Sequence, residues 1–172
     1  MANRLGNLLA RRGFLAGLTA TIAGIVAAVL GVPLAGYTIL PALRRRAEMW
    51  AEVGAVADLV PNHPRELKVF QTISDGWLKT TVPKSVWAVQ QRSGEVVVYS
   101  GLCPHLGCGF RWETERRVFL CPCHLSLFAL DGHVLSGPSP RPLDTLPAKI
   151  SKGRLLVTYK EFRAGTTAKN EL

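Results

Sequence analysis

The hydrophobic pattern sets an apolar N-terminal segment apart from the rest of the chain. Residues 14–40 form a run of 27 residues without a charged side chain. A helix that spans a membrane needs about 20 apolar residues, so the run predicts one transmembrane anchor over residues 14–43. Because the run is longer than the apolar core of a cleaved signal peptide, we expect the anchor to be retained.

After residue 64 the pattern changes to short runs rich in β-branched and aromatic residues, which alternate with turn signals. Strands are predicted over residues 67–73, 86–90, 95–99, 117–120, 149–151 and 154–159, with turns at 75–76, 93–94, 131–132 and 152–153. Many short strands with frequent turns indicate an all-β sandwich or barrel. We expect a basal unit of residues 65–100 and 143–160, with inserted loops over about 101–137, within a head of residues 65–160.

Three segments carry no strand pattern. Residues 1–13 are short and basic and are predicted to be cytoplasmic. Residues 44–64 include a stretch of helical composition, 47–59, that breaks at Pro61 and Pro64, and they are predicted to be a hinge or a passive linker. Residues 161–172 are predicted to be a tail that is frayed from residue 163 onward.

The positive charge is concentrated around the apolar run. The formal net charge is +9, and residues 1–46 contain six arginines and no acidic residue, whereas the remainder contains 15 basic and 12 acidic residues. No basic stripe with interleaved aromatic residues is present, so the charge does not indicate a nucleic-acid partner.

All four cysteines lie in one short stretch, between residues 103 and 123. It contains two mixed motifs, Cys103-x-His105 and Cys121-x-x-His124, each in a segment bounded by proline or glycine, which indicates loops. Two thiolates and two imidazoles suit zinc or an iron–sulfur centre better than magnesium or calcium.

Three kinds of site are compatible with these residue types. A structural zinc site usually pairs cysteine with cysteine and histidine with histidine. Two structural disulfides with unused histidines are a second alternative. The mixed pairs best fit a [2Fe–2S] centre of Rieske type, in which two cysteines hold one iron and two histidines hold the other.

The two motifs resemble the cluster-binding boxes of Rieske iron–sulfur proteins, specifically the subunit of quinol-oxidising cytochrome bc complexes. The resemblance implies an all-β Rieske-like head, with antiparallel sheets and an inserted cluster-binding subdomain, on one N-terminal transmembrane helix. It also implies that Cys103 and Cys121 bind the inner iron, whereas His105 and His124 bind the outer iron near the surface.

The same resemblance assigns further residues around the cluster. Cys108 and Cys123 would form a disulfide that ties the two boxes together, a pair that Rieske ferredoxins and oxygenases lack. The segment 137–143, Gly-Pro-Ser-Pro-Arg-Pro-Leu, resembles the proline-rich loop that covers the cluster, although a stiff surface turn is the alternative. The other residues implied at the cofactor are Leu106, Gly107, Ser126 and Phe128.

Two positions depart from the family pattern. Leu125 replaces the usual glycine, which often marks a positive backbone angle, so we expect the local conformation to differ. Phe128 replaces the tyrosine of high-potential members, whose hydroxyl bonds a ligand sulfur, while Ser126 would still donate to a bridging sulfide. Hydrogen bonds to the sulfurs raise the potential, so a lower potential and a low-potential quinol such as menaquinol are predicted.

The resemblance also implies a function and its partners. A quinol would donate a hydrogen bond to His105 or His124 and deliver one electron and its proton, and the electron would pass to a c-type cytochrome. Leu106 and Leu125 would dock on the cytochrome b subunit of a dimeric complex, or would simply pack over the cluster. The small subunit of arsenite oxidase also resembles the chain and is the alternative function.

The orientation is inferred from the N-terminal sequence. Arg11-Arg12-Gly13-Phe14-Leu15 resembles a twin-arginine export signal, with Ala10 in place of the usual Ser or Thr, although a basic flank of a membrane helix is the alternative. Arginines flank both ends of the span, so charge alone is ambiguous. The export signal and the implied disulfide, which suits an oxidising compartment, predict a single-pass protein of the bacterial cytoplasmic membrane with the cluster domain outside.

Overall fold

A computed structural model describes residues 2–43, 49–75 and 78–172. The chain divides into two compact units, Met1–Ala47 and Glu48–Leu172. The three arginines that follow the predicted span and the second residue of the turn predicted at 75–76 lie outside the described residues.

The first unit contains one helix, α1, Ala2–Leu43. Its stretch Arg11–Leu40 is long enough and apolar enough to cross a membrane, since 30 helical residues rise about 45 Å. The hydroxyl of Thr19 donates to the carbonyl of Leu15 at 2.8 Å, so this polar group is satisfied within the helix. The predicted anchor helix is present, but it begins at Ala2, so residues 2–13 continue the helix rather than form a separate segment.

The second unit is the β head. Its strands are β1 (Ala51–Ala55), β2 (Arg65–Asp75), β3 (Leu78–Gln90), β4 (Val96–Ser100), β5 (Arg111–Glu113), β6 (Val118–Leu120), β7 (Leu127–Phe128), β8 (Val134–Ser136), β9 (Thr145–Leu146), β10 (Ala148–Ser151) and β11 (Arg154–Val157). They form three antiparallel sheets in the orders β1-β11-β10, β2-β3-β4-β9 and β5-β6-β7-β8. The predicted antiparallel fold with an inserted subdomain is therefore confirmed.

The glycines of the predicted hairpin turns have the positive φ angles that glycine adopts readily. Lys152 and Gly153 connect β10 and β11 with φ angles of 50° and 75°. Two consecutive positive φ angles are characteristic of the tight type I′ turn. Gly94, between β3 and β4, also has a positive φ of 88°.

The predicted linker 44–64 is wrong over residues 51–58, which form a strand and a short 3-10 helix, Val56–Asp58. Residues 51–55 form β1, which pairs with β11 from Ala51 opposite Val157 to Ala55 opposite Arg154. Ala51 and Val53 pack against the buried core of the base, and this tertiary pairing overrides the helical composition of the segment. Residues 44–48 of the predicted linker lie outside the described residues.

The sheet β2-β3-β4-β9 separates two hydrophobic cores, because successive side chains of a strand point to opposite faces. We call them the base core and the upper core. On β3, Val86 and Ala88 enter the base core, whereas Trp87 and Val89 enter the upper core. The upper core also contains Tyr99, Cys103, Phe110, Phe119, Cys121, Phe128 and Leu143. The two cysteine-containing boxes are therefore built directly on the apolar face of this sheet.

The predicted frayed tail is also wrong. Residues 161–172 fold back on themselves, with an isolated bridge between Phe162 and Glu171 and a hydrogen bond from the Arg163 amide to the Asn170 carbonyl at 2.9 Å. Its composition gave no sign of order, because the contacts that fix it to the head involve residues distant in sequence, such as the hydrogen bond from the Lys169 ammonium to the Thr145 carbonyl.

Candidate metal centre

The first box is a closed loop between β4 and β5. The Cys103 amide donates to the Cys108 carbonyl at 2.7 Å, and the Gly107 amide donates to the Cys103 carbonyl at 2.9 Å. Gly107 has a φ of 76°, which glycine adopts without a steric penalty. The loop thus turns within six residues and presents His105 and Leu106 at its tip.

The second box lies between β6 and β7 and is closed by one hydrogen bond, from the Cys121 amide to the Ser126 carbonyl at 2.9 Å. Leu125 has a φ of 58°. The expected change of conformation at this position is therefore wrong: leucine adopts the left-handed backbone that glycine would favour, at a cost of roughly 1–2 kcal/mol. The hydrogen bonds and packing around the box must offset this cost.

A disulfide joins the two boxes. Cys108 and Cys123 are bonded, with a sequence separation of 15 residues and a Cα–Cα distance of 6.6 Å. The disulfide that the family resemblance implied is confirmed. It holds the ends of two loops that are otherwise closed only by their own backbone hydrogen bonds.

The four candidate ligands form an inner and an outer pair. Cys103 and Cys121 are free thiols with exposed fractions of 1% and 2%. The rings of His105 and His124 have centroids 4.7 Å apart at an interplanar angle of 86°; His105 is half-buried and His124 is exposed. Two loops distant in sequence thus bring two buried sulfurs and two accessible imidazoles together.

A second grouping of sulfurs overlaps this one. The Sγ atoms of Cys108, Cys121 and Cys123 lie within 4.8 Å of one another. Two of these sulfurs are consumed by the disulfide, so Cys121 is the only thiol in the group. Cys103 and Cys121 are therefore the sulfurs available to bind metal among the described residues.

Burial disfavours the thiolate form of the inner pair unless a cation lies beside it. Burial raises the pKa of the Cys103 thiol to about 11; the His105 amide opposes this rise, and the neighbouring Cys121 adds to it. A thiol this deeply buried ionises when a positive charge lies beside it. Two iron ions would supply that charge, so the donor set fits a [2Fe–2S] cluster.

An unpaired hydroxyl lies next to the same thiols. Ser126 is fully buried, and its Oγ has no hydrogen-bond partner of normal geometry among the described residues, although it lies beside the Cys103 thiol. Buried hydroxyls are normally paired, and the sulfide of a bound cluster would be a suitable acceptor. Phe128 is also fully buried, with its ring centroid 6.2 Å from that of Phe110.

The proline-rich loop lies directly on the second box. Gly137 has a φ of 95°, and a Cβ at this position would lie 2.5 Å from the Ser126 Cα and 3.0 Å from the Leu125 carbonyl oxygen. The sequence analysis predicted that this loop covers the cluster, but it did not predict that Gly137 packs directly on the backbone of the second box. The glycine that precedes the prolines was the one sign in the sequence of such a close approach.

Sequence reasoning missed two further contacts. Arg141 forms a buried two-pronged ion pair with Asp144, with distances of 2.9 Å and 2.8 Å. Gly165, in the tail, donates from its amide to the Pro104 carbonyl at 2.9 Å. For the ion pair, the sequence offered one weak signal, which is that Arg141 and Asp144 have opposite charges and are three residues apart. For the hydrogen bond between Gly165 and Pro104, the sequence contained no signal.

Comparison with known proteins places this arrangement in a family. The Rieske [2Fe-2S] domain family matches residues 49–147. The menaquinol:cytochrome c reductase iron-sulfur subunit of Geobacillus thermodenitrificans is 30% identical over an alignment of 151 residues, and the alignment covers 84% of this chain and 88% of that protein. The cytochrome b6-f complex iron-sulfur subunit of Chlorobaculum tepidum is 30% identical over 148 residues, 86% of this chain and 75% of that protein.

A solved structure is also similar. The plasma membrane Rieske protein of the cyanobacterium Synechocystis PCC 6803 is 32% identical, covering 63% of this chain and 98% of that chain with a TM-score of 0.47. The family match and the two relatives, together with two buried thiols and two neighbouring imidazoles, identify the chain as an iron–sulfur protein. The chain belongs to the Rieske [2Fe–2S] domain family, and its cofactor is a Rieske-type [2Fe–2S] cluster.

Proposed function

We propose that the chain is the Rieske electron-transfer subunit of a membrane quinol:cytochrome c oxidoreductase of the cytochrome bc type. The observation that carries the proposal is the combination of two buried thiols and two adjacent, more accessible imidazoles on disulfide-linked loops, in a chain that spans 88% of a menaquinol:cytochrome c reductase subunit. The protein is active only as one component of that complex, together with a cytochrome b subunit and a c-type cytochrome.

The four ligands are assigned by their burial. Cys103 and Cys121 would hold the inner iron, since both thiols face the apolar upper core. His105 and His124 would hold the outer iron at the accessible end of the loops. When bound, a Rieske cluster supplies a one-electron acceptor whose potential depends on nearby hydrogen bonds.

The tip of the boxes is suited to meet a quinol. Each histidine would use one ring nitrogen for iron and leave the other free to accept a hydrogen bond and a proton from the quinol hydroxyl. Leu106 and Leu125 flank the two imidazoles with exposed fractions of 62% and 67%. Burying these leucines against cytochrome b would exclude water from the quinol and hold it beside His105 or His124.

The quinol is proposed to be menaquinol, because the fully buried Phe128 cannot donate a hydrogen bond to a ligand sulfur. The twin-arginine-like N-terminus and the disulfide support a single-pass protein of the bacterial cytoplasmic membrane, with the head on the outer side. The complex is proposed to be dimeric. We propose residues 14–43 as the membrane anchor.

The function is tested by isolating the complex from native membranes in mild detergent. We expect the chain to copurify with a haem-bearing cytochrome b, and the preparation to reduce a c-type cytochrome when a menaquinol analogue is added. Recovery with a haem-free soluble oxidoreductase would instead favour the arsenite oxidase type of assembly. The relatives described above do not support that alternative.

Phe128→Tyr is expected to raise the midpoint potential by about 60 mV, because one added hydrogen bond of roughly 1.4 kcal/mol to a ligand sulfur corresponds to that shift for a one-electron couple. The measurement is a redox titration of the reduced-cluster EPR signal. Phe110→Tyr is the matched control, since Phe110 belongs to the same buried cluster. An unchanged potential in Phe128→Tyr would contradict the role assigned to this position.

Leu106→Ser and Leu125→Ser are each expected to lower quinol oxidation by about tenfold, because full burial of a leucine contributes about 1.5–3 kcal/mol to an interface. The midpoint potential should stay unchanged, because the ligands are retained. Ile150→Ser is the control, since Ile150 is half exposed on β10, in the sheet β1-β11-β10. If both leucine variants retained full activity, the leucines would serve only as packing over the cluster.

A further inference from the structure

The C-terminal segment, residues 161–172, is held to the head at several points. We call this segment the C-terminal clasp. Its two ends are joined by hydrogen bonds between the Leu172 amide and the Glu161 carbonyl and between the Arg163 amide and the Asn170 carbonyl, both at 2.9 Å. The Lys169 ammonium donates to the Thr145 carbonyl at 2.7 Å, which fixes the clasp to β9.

The middle of the clasp contacts the first box. The Gly165 amide donates to the Pro104 carbonyl at 2.9 Å. A Cβ at Gly165 would lie 3.6 Å from the His105 carbonyl oxygen, and Gly165 has a φ of 74°. The clasp backbone thus lies against the backbone of the two residues that lead to the tip of this loop.

A buried arginine joins the clasp to the proline-rich loop. The Arg141 guanidinium pairs with both carboxylate oxygens of Asp144, and its Nη1 donates to the carbonyl and, at 3.2 Å, to the hydroxyl oxygen of Thr166. Both charged side chains are almost fully buried. A planar guanidinium with several fixed donors can hold two segments in one geometry, which an ammonium cannot do.

The same contacts reach both ligand loops. Asp144 accepts a hydrogen bond at its carbonyl from the Ser100 amide at 2.8 Å, and Ser100 ends the strand that leads into the first box. At the other end of the proline-rich loop, Gly137 lies on Ser126 of the second box. One continuous set of contacts therefore runs from the clasp through Arg141 to both boxes.

We propose that the C-terminal clasp positions the first box, with Gly165, Thr166 and Arg141 as positioning residues that set how His105 stands relative to His124. The clasp fixes Pro104 from outside the loop, while the disulfide ties the first box to the second at Cys108. Loss of the clasp contact is expected to leave the fold intact and to loosen the first box. This inference rests on the proposed function only where it concerns quinol oxidation. The positioning of the first box by the clasp does not depend on which molecule donates the electron.

The first test replaces Gly165 with alanine in the full-length protein with its cluster. The positive φ opposes a side chain by roughly 1–2 kcal/mol, or about tenfold in the equilibrium between docked and undocked clasp. We expect amide hydrogen exchange in residues 103–108 to become about tenfold faster, with a changed EPR line shape of the reduced cluster. Gly153→Ala is the matched control, because Gly153 has a φ of 75° and no atom near the added Cβ.

The second test avoids backbone strain. Thr166→Val removes the hydroxyl that contacts Arg141 Nη1 and the carbonyls of Arg163 and Ala168. Thr167→Val, at the adjacent exposed position, is its control. For Thr166→Val, we expect faster amide hydrogen exchange in residues 103–108 and a shifted midpoint potential of the cluster. For Thr167→Val, we expect both to stay as in wild type.

The outcomes separate this inference from the proposed function. Faster exchange in the clasp with unchanged exchange in residues 103–108, and with an unchanged EPR line shape, would show that the clasp does not position the box. If exchange, line shape and potential change as expected while quinol oxidation is absent from every preparation, the bracing stands and the proposed function fails.

Discussion

Gly137→Ala is expected to destabilise the head by about 3 kcal/mol or more and to yield protein depleted of iron. The added Cβ would lie 2.5 Å from the Ser126 Cα and 2.9 Å from the Ser126 amide nitrogen. These are backbone atoms of the second box, so no side-chain rotation relieves the clash, and overpacking of this kind typically costs about 1–3 kcal/mol before the positive φ is counted. The proline-rich loop or the second box must move, and either movement disturbs Cys121 and His124.

The measurement is thermal unfolding of the full-length protein in detergent, together with iron and acid-labile sulfide content. Gly94→Ala is the matched control, because Gly94 has a φ of 88° and no atom within 4 Å of the added Cβ. The control should lose only the roughly 1–2 kcal/mol of backbone strain and keep its cluster. Equal losses of stability in the two variants, with full iron content in both, would contradict the close packing inferred at Gly137.

The parts of the site that could be predicted are those written in local sequence. The ligand motifs lie within four residues each, and the glycine and proline residues that close the loops are adjacent to them. The β10–β11 hairpin was equally accessible, because a two-residue turn and alternating flanks specify its register. The membrane helix was predictable because its signal is a long apolar run.

The parts that were mispredicted depend on partners far away in sequence. The strand Ala51–Ala55 forms because β11, about 100 residues later, offers a free edge. The clasp is ordered because Pro104, Arg141 and Thr145 accept or donate its hydrogen bonds. Neither segment has a composition that would reveal such partners, and local propensity gives way to tertiary pairing.

Leu125 shows a different limit of sequence reasoning. The replacement of a usual glycine suggested a different backbone, yet Leu125 keeps a φ of 58°. The reason lies in its neighbours: the Cys121 amide bonds to the Ser126 carbonyl, and Gly137 packs against the Leu125 carbonyl. A residue in an unfavourable conformation persists when the surrounding structure determines its backbone, and that surrounding structure is visible only in three dimensions.

Removal of the disulfide by the double substitution Cys108→Ala and Cys123→Ala is expected to lower the free energy of unfolding by about 3 kcal/mol, because cross-linking a loop of about 15 residues removes that much entropy from the unfolded chain. The residues enclosed by the bond already form the antiparallel pair β5–β6, so this sheet should stay folded. The measurement is guanidinium unfolding of the full-length protein, with wild type in the presence of a reductant as the control. Both samples should shift to a lower midpoint by the same amount.

The same variant distinguishes two roles of the bond. If the disulfide acts only on the unfolded chain, stability falls while the EPR line shape and the midpoint potential of the remaining folded protein stay as in wild type. If it also holds the boxes together, those two signals change as well, because the two boxes meet at the His105 and His124 rings and are otherwise closed separately. We expect both signals to change, since the only covalent link between the described loops is the Cys108–Cys123 bond. An unchanged line shape with reduced stability would assign the spacing of the boxes to the proline-rich loop and the clasp instead.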